Sequence, residues 1–148
     1  MAPARQVERL HALQAAIAAR DAPALYTFFT PDVVWFEADS SDGHVHTGRG
    51  RDDLVRTLLL PEPDGWVDGA VTVHGVVSNG VQAVAVVTWR GTLRETGRTV
   101  TGHATMIVRM EAGGLIDHLW LIEELAPDGA PRAGRALAAE ATGLPVDA

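Results

Sequence analysis

The sequence contains no cysteine. Disulfide bonds, thiolate metal sites and a cysteine nucleophile are therefore excluded. Positive charge is also scarce: the 12 basic residues, all arginine, form no run, and 19 acidic residues bring the formal net charge to −7. Because such a surface repels phosphates and anionic headgroups, we expect neither nucleic acid nor a membrane as a partner.

Long apolar segments are absent as well. No stretch reaches the roughly 18 apolar residues that a membrane-spanning helix needs. The first ten residues, MAPARQVERL, carry charge where a signal peptide has its apolar stretch, so we expect a cytoplasmic protein. A phosphate-binding glycine loop and a dinucleotide fingerprint are also missing, and we expect no cofactor.

What is present suffices for one domain. The 148 residues, of which 47% are hydrophobic, can bury a core. Apolar residues at helical spacing predict a first helix over 7–20, and Asp21 is a suitable N-cap for a second helix over 24–29. A third helix is predicted over 51–60, before the proline-containing segment that follows.

Strand patterns occupy the rest. Branched and aromatic residues predict a strand over 33–37, followed by a polar loop or short hairpin arm over 39–50. Four further β-rich runs are separated by turn dipeptides and predict an antiparallel meander. These runs cover 70–78, 81–94, 98–110 and 115–125.

The fold class that follows is α+β. We expect the N-terminal helices to pack on a strongly curved, mixed or antiparallel sheet that forms a cone-shaped half barrel with an apolar pocket. The domain spans residues 1–126, and residues 127–148 form a tail with at most a short helix.

Cross-strand pairing predicts which side chains share a face of the sheet. If Thr96-Gly97 is the turn, Trp89 lies opposite Ala104. The face on which they lie is apolar throughout, and we expect it to form the pocket wall and bind a hydrophobic small molecule. The predicted lining residues are Phe29, Trp35, Val87, Trp89, Met106, Leu119 and Leu121.

The other face combines polar residues with Ile107, Trp120 and Ile122. Large apolar side chains clustered in this way seldom stay exposed to solvent. The pattern predicts a homodimer that forms through this outer face. Coverage by the C-terminal tail is the alternative.

The order of elements resembles the nuclear-transport-factor-2-like superfamily, which includes SnoaL-like polyketide cyclases, ketosteroid isomerases and limonene-type epoxide hydrolases. The resemblance covers about residues 5–125. It is carried by the helix-helix-strand opening AARD to FFTPDVVWFE at 18–37, by GRDDL at 50–54 and by the hairpin IVRMEAGGLI at 107–116. These segments imply the cone fold, which hosts enzymes, binding proteins and assembly modules alike.

The resemblance places Glu37 where ketosteroid isomerases carry the aspartate that moves the substrate proton. The hydrogen-bond donors of those isomerases fall on Leu13 and Met106, which cannot donate to an enolate oxygen. Steroid isomerisation of that kind is therefore not implied. The epoxide hydrolase relay is not implied either, because the run from 81 to 93 contains no carboxylate.

The acid on the final strand of SnoaL-like cyclases falls on Leu121. A slip of one residue would substitute Glu123 or Glu124, but it would also exchange the two predicted faces of that strand.

Two carboxylates are the catalytic candidates. Glu37 shares a strand face with Trp35, and a carboxylate between apolar walls suits a general base near neutral pH. The alternative is that Glu37 meets solvent or pairs with Arg49 or Arg51. Asp117 is predicted on the same inner face as Leu119 and is the second candidate.

The spacing of His44 and His46 places two imidazoles on one side of an extended segment, an arrangement that also occurs in metal-binding barrels. His74, His103 or His118 would have to supply a third ligand. Sites of this type also need an acidic ligand in register, and the N-terminal helices argue against a metal-binding barrel. We expect no metal.

Together these features favour a cofactor-independent, SnoaL-like enzyme that acts on a hydrophobic small molecule, such as a secondary metabolite, by acid–base proton transfer. The reaction would be an isomerisation, a cyclisation or a dehydration. Glu37 would remove the proton, and Asp117 or a loop histidine would return it. The alternative is a dimeric module of the same fold that binds a small molecule without catalysis.

Overall fold

The structure, a computed structural model, describes residues 1–39, 44–59 and 66–124. The predicted tail at 127–148 lies outside these residues. The helices are α1 (Pro3–Ala18), α2 (Ala22–Tyr26) and α3 (Arg51–Leu58). The strands are β1 (Phe29–Asp39), β2 (His44–Arg49), β3 (Trp66–Ser78), β4 (Gln82–Leu93), β5 (Thr99–Met110) and β6 (Ile116–Glu124).

All three predicted helices form, with shifted ends. α1 starts at Pro3, because proline is compatible with the first helical turn, where no backbone donor is needed. Asp21 caps α2 as predicted: its Oδ1 accepts a hydrogen bond from the Ala24 N–H at 3.1 Å. α2 ends at Tyr26 rather than at Phe29, since Phe29 already belongs to β1.

The six strands form one mixed sheet in the order β2-β1-β6-β5-β4-β3. β1 and β6 pair in parallel, and every other neighbouring pair is antiparallel. β2 and β3 lie at the two edges, so the sheet is not closed into a barrel. With the helices packed against it, this curved sheet gives the α+β cone, and the predicted fold class is confirmed.

The three tight turns of the meander form where predicted. Gly80, Gly97 and Gly114 have φ values of +89°, +69° and +91°, a conformation that favours glycine. The predicted pairing of Trp89 with Ala104 is wrong: Trp89 lies opposite Gly102. The register differs by two residues, and a shift of two leaves every side chain on its predicted face.

The helices pack on one face of the sheet: α1 lies over β3 and β4, and α3 packs against β1. We call this helix-covered side the inner face. Gln6 anchors α1: its Nε2 donates to the Gly80 carbonyl at 2.9 Å, and its Oε1 accepts from the Ser78 hydroxyl. Within the described ranges, no helix is both long and apolar enough to span a membrane.

Candidate functional site

β1 and β6 are neighbouring strands in the sheet. Their parallel register places Leu119 beside Trp35 and Leu121 beside Glu37. Trp35 and Leu119 are 8% and 1% exposed, which confirms that they face the core. Because side chains alternate along a strand, Glu37 follows Trp35 onto the inner face.

Glu37 also has a cross-strand neighbour in β2. In the antiparallel pairing of β1 with β2, Glu37 lies opposite His46. Residues directly opposite in such a pair project to the same face, with Cβ atoms about 4.5–5.5 Å apart. Both side chains are half-buried. A carboxylate and an imidazole therefore stand next to each other at the end of β1.

A second carboxylate, Glu123, lies on this face, although the predicted register placed Leu121 and not Glu123 at the acid position. Glu123 is 4% exposed and lies opposite Ala104 of β5, two residues beyond Leu121. The alternation Leu119, Leu121, Glu123 was the signal that could have identified it. A shift of two positions from Leu121 preserves the face, whereas only a shift of one exchanges it.

Gln14 on α1 was also missed. It is 4% exposed, and its Nε2 donates to Sδ of Met106 at 3.2 Å. Sulfur is a weak acceptor, so this buried amide retains the capacity to bond a better one. Leu13, the neighbouring position that the resemblance singled out, is fully buried and apolar.

Asp117 does not lie on the inner face, and that prediction is wrong. A register irregularity between Arg109 and Met110 lets β6 place Ile116 in the core and turns Asp117 toward the outer face. Both carboxylate oxygens accept from Arg109, at 2.9 and 3.0 Å. These bonds, with a lesser one from His118, hold the pKa of Asp117 below its ordinary value of 3.8.

The end of the sheet that carries Glu37, His46 and Glu123 is the end away from the start of α1. Met1 and Pro3 lie beside Gly80, in the turn between β3 and β4. β1 and β6 both run away from that end, so their last residues reach the opposite rim. Glu37, His46 and Glu123 therefore lie at the end of the sheet opposite the start of α1.

The sequence was compared with models of known protein families. Residues 7–118 match the model of the SnoaL-like domain. The chain belongs to the SnoaL-like domain family. Curated proteins give no sequence match to this SnoaL-like protein.

Solved structures share its fold. AclR from Streptomyces galilaeus superposes with a TM-score of 0.69 at 16% identity, over 97% of this chain and 85% of that one. An LEH-like epoxide hydrolase of M. tuberculosis gives 0.64 at 15%, over 82% and 84%. A Catenulispora acidiphila protein with a ketosteroid isomerase-like fold, in complex with trimethylamine, gives 0.63 at 18%, over 94% and 95%. Identities this low establish the fold alone.

The predicted lining residues of the SnoaL-like cone divide by exposure. Five are buried in the core, at 8% exposure or less: Phe29, Trp35, Val87, Met106 and Leu119. Trp89 and Leu121 remain partly exposed on the inner face. Contact with a ligand stays a prediction for all seven residues.

The histidines of the SnoaL-like chain are spread over both faces. His46 is on the inner face beside Glu37, whereas His74 and His103 both contact the Thr88 hydroxyl, at 2.6 and 3.2 Å. In the part of the chain that the structure describes, no group of three or more His, Asp or Glu residues is placed to hold a metal ion.

Proposed function

We propose that this SnoaL-like protein is a cofactor-independent enzyme that moves a proton within a hydrophobic small molecule bound on the inner face. The observation that supports the proposal is the register of β1, which sets Glu37 between His46 and Leu121. Glu37 is the general base in this scheme. A positioned carboxylate of this kind contributes about 10²–10⁴-fold to a rate.

The adjacent imidazole supports a complete proton cycle. Glu37 accepts a proton from a carbon of the substrate, and His46, in its protonated form, delivers one to another atom of the same molecule. Proton exchange between the two side chains then restores the starting state. Asp117 takes no part, because Arg109 holds its carboxylate on the outer face.

The proposed substrate is largely apolar. Trp89 and Leu121 remain partly exposed on the face that carries Glu37 and offer aromatic and aliphatic surface to a ligand. Proton transfer of this type is the shared step of isomerisation, cyclisation and dehydration, and we propose a secondary metabolite as the substrate. The trimethylamine complex supports small-molecule binding by the fold, although it concerns another protein.

Deuterium exchange tests the base. The wild-type protein in D₂O should accelerate exchange at the acidic carbon of an apolar probe such as β-tetralone, followed by NMR. Glu37→Gln should lower this rate by about 100-fold or more, because glutamine cannot accept the proton. Asp117→Asn is the matched control and should leave the rate unchanged. Equal rates for Glu37→Gln and wild type would show that Glu37 is not the base.

A binding module without catalysis is the second candidate. The positions where the family resemblance expects acids or hydrogen-bond donors carry Leu13, Met106 and Leu121. Saturable binding of β-tetralone with no exchange above the buffer rate, in wild type as in Glu37→Gln, would favour this candidate.

A further inference from the structure

Two histidines meet at one hydroxyl group on the outer face of the sheet. Nε2 of His74 in β3 lies 2.6 Å from Oγ1 of Thr88, and Nδ1 of His103 in β5 lies 3.2 Å from the same oxygen. Thr88 belongs to β4, the strand between them, where it pairs directly with His103. Ring nitrogens from two separate strands therefore point at one position.

A β-bulge brings His74 to this position. The register of β3 with β4 shifts between Val73 and Gly75, so His74 is the extra residue of β3 at that point. Bulges of this kind redirect a side chain relative to the regular strand. His74 is exposed and His103 is half-buried. A ligand from solvent therefore reaches the two rings without entering the core.

The shared hydroxyl group cannot serve both neutral rings in the same way. Thr88 has one O–H proton, so it donates to one imidazole, and the other imidazole must donate its own N–H to the oxygen. Because a neutral imidazole carries its proton on either nitrogen, each ring can instead direct a lone pair at the shared position. A cation that accepts two lone pairs would then satisfy both rings at once.

We propose that His74 and His103 together bind a divalent transition-metal ion on the outer face. Zinc, nickel and copper are the ions of this class that suit imidazole ligands. Each ring supplies one nitrogen at about 2.0–2.1 Å from the ion, and water molecules complete the coordination. The two nitrogens then lie about 3–4 Å apart, a separation that rotation of the exposed His74 ring can supply.

The charge of the chain favours a cation at this site. The formal net charge is −7, which attracts metal ions to the surface. Arg90, two residues beyond Thr88 on the same face of β4, carries a positive charge, but it is exposed, so solvent and salt screen it. A bound ion joins β3 to β5 across β4 and thereby stabilises the β3 edge of the sheet. The site lies on the face opposite Glu37, so it does not depend on the proposed function.

Isothermal titration of zinc into protein without a polyhistidine tag tests the site. Wild type should bind one ion per chain, and its melting temperature should rise by several degrees at about 100 times the Kd. His74→Gln and His103→Gln should each weaken binding by about 10-fold or more, since even a residue that only supports a metal ligand contributes that much. His11→Gln removes an exposed histidine from α1 and should leave the affinity unchanged.

The imidazole NMR signals of wild type provide a measurement that does not depend on the folding of variants. Zinc should shift the signals of His74 and His103 and leave that of His11 in place. The proposal is wrong if wild type binds no zinc, if binding persists when both histidines are replaced, or if the shifted signals belong to His44 and His46. One ion per two chains would also overturn it, because the ion would then bridge two copies instead of one chain's own strands.

Discussion

Arg109 donates hydrogen bonds to both carboxylate oxygens of Asp117, from Nε to Oδ1 at 2.9 Å and from Nη2 to Oδ2 at 3.0 Å. The pair links β5 to the first residues of β6 at the point where their register is irregular. A bidentate pair has a fixed geometry, so it holds this irregularity in one conformation.

The first prediction concerns pH. The pKa of Asp117 is lowered in the folded state by its Arg109 hydrogen bonds, so the pair stabilises the fold above the ordinary pKa of 3.8, and that stability is lost as the pH falls through the lowered value. Asp117→Asn should therefore have a lower urea midpoint than wild type at pH 7, and the difference should vanish in strong acid.

The control for this prediction is Asp53→Asn. Asp53 meets Arg56 at 3.3 Å, but the two side chains are 60% and 72% exposed, so solvent screens the pair. This variant should follow the wild-type midpoint closely at every pH. A midpoint for Asp117→Asn equal to that of wild type at pH 7 would contradict the prediction.

The second prediction concerns the close approach of Trp35 to Gly48. Gly48→Ala forces the indole to move, because the added Cβ would lie 2.7 Å from Nε1 of the ring. Overpacking of this kind should lower the free energy of unfolding by about 1–3 kcal/mol. Gly75→Ala on β3 is the matched control, because a Cβ there meets nothing within 4 Å. Urea unfolding of both variants provides the measurement, and equal stability of the two would show that the ring yields without strain.

The third prediction compares two buried glutamines of α1. Gln6→Met leaves the Gly80 carbonyl and the Ser78 hydroxyl without their partner and should cost about 1–3 kcal/mol in thermal or urea unfolding. Gln14→Met removes only a bond to the sulfur of Met106 and should change stability by about 0.5 kcal/mol or less. A larger loss for Gln14→Met than for Gln6→Met would reverse this order.

The fourth prediction concerns the outer face, where Phe36 and Trp120 stack with ring centroids 6.3 Å apart and planes within 6°. We expect a homodimer that covers this stack together with Ile107 and Ile122, since they lie on the same face. Ile122→Arg should shift sedimentation from dimer toward monomer.

Val81→Arg serves as its control, because Val81 is 60% exposed in the turn between β3 and β4, away from the stack. Monomeric wild type, or an Ile122→Arg protein that sediments as wild type does, would count against the interface.

Local chemistry was enough to predict the helices, the glycine turns and the two faces of the meander. Each depends on a cap, a positive φ or a period of two, which neighbouring residues determine. The pairing of Trp89 was misplaced because registers that differ by two bury the same face, and only the geometry of the turn distinguishes them.

The parts of the site that sequence could not give depend on distant contacts. The prediction for Asp117 failed because an irregularity between β5 and β6 interrupts simple alternation at that point. The sequence pattern allows His46 as a metal ligand or as a proton donor in a loop, but its place opposite Glu37 depends on the register of β1 with β2. The burial of Gln14 and its contact with Met106 depend on how α1 packs over the sheet.

The parallel pairing of β1 with β6 makes the first strand of the sheet a neighbour of the last. Most of the domain lies between these two strands in sequence, so the contact order is high and we expect slow folding relative to helical proteins of this size. During synthesis, the edge of β1 that pairs with β6 stays unpaired until β6 has left the ribosome. A nascent chain that stops at β5 therefore leaves β1, with Glu37, as an open strand edge that is exposed to aggregation.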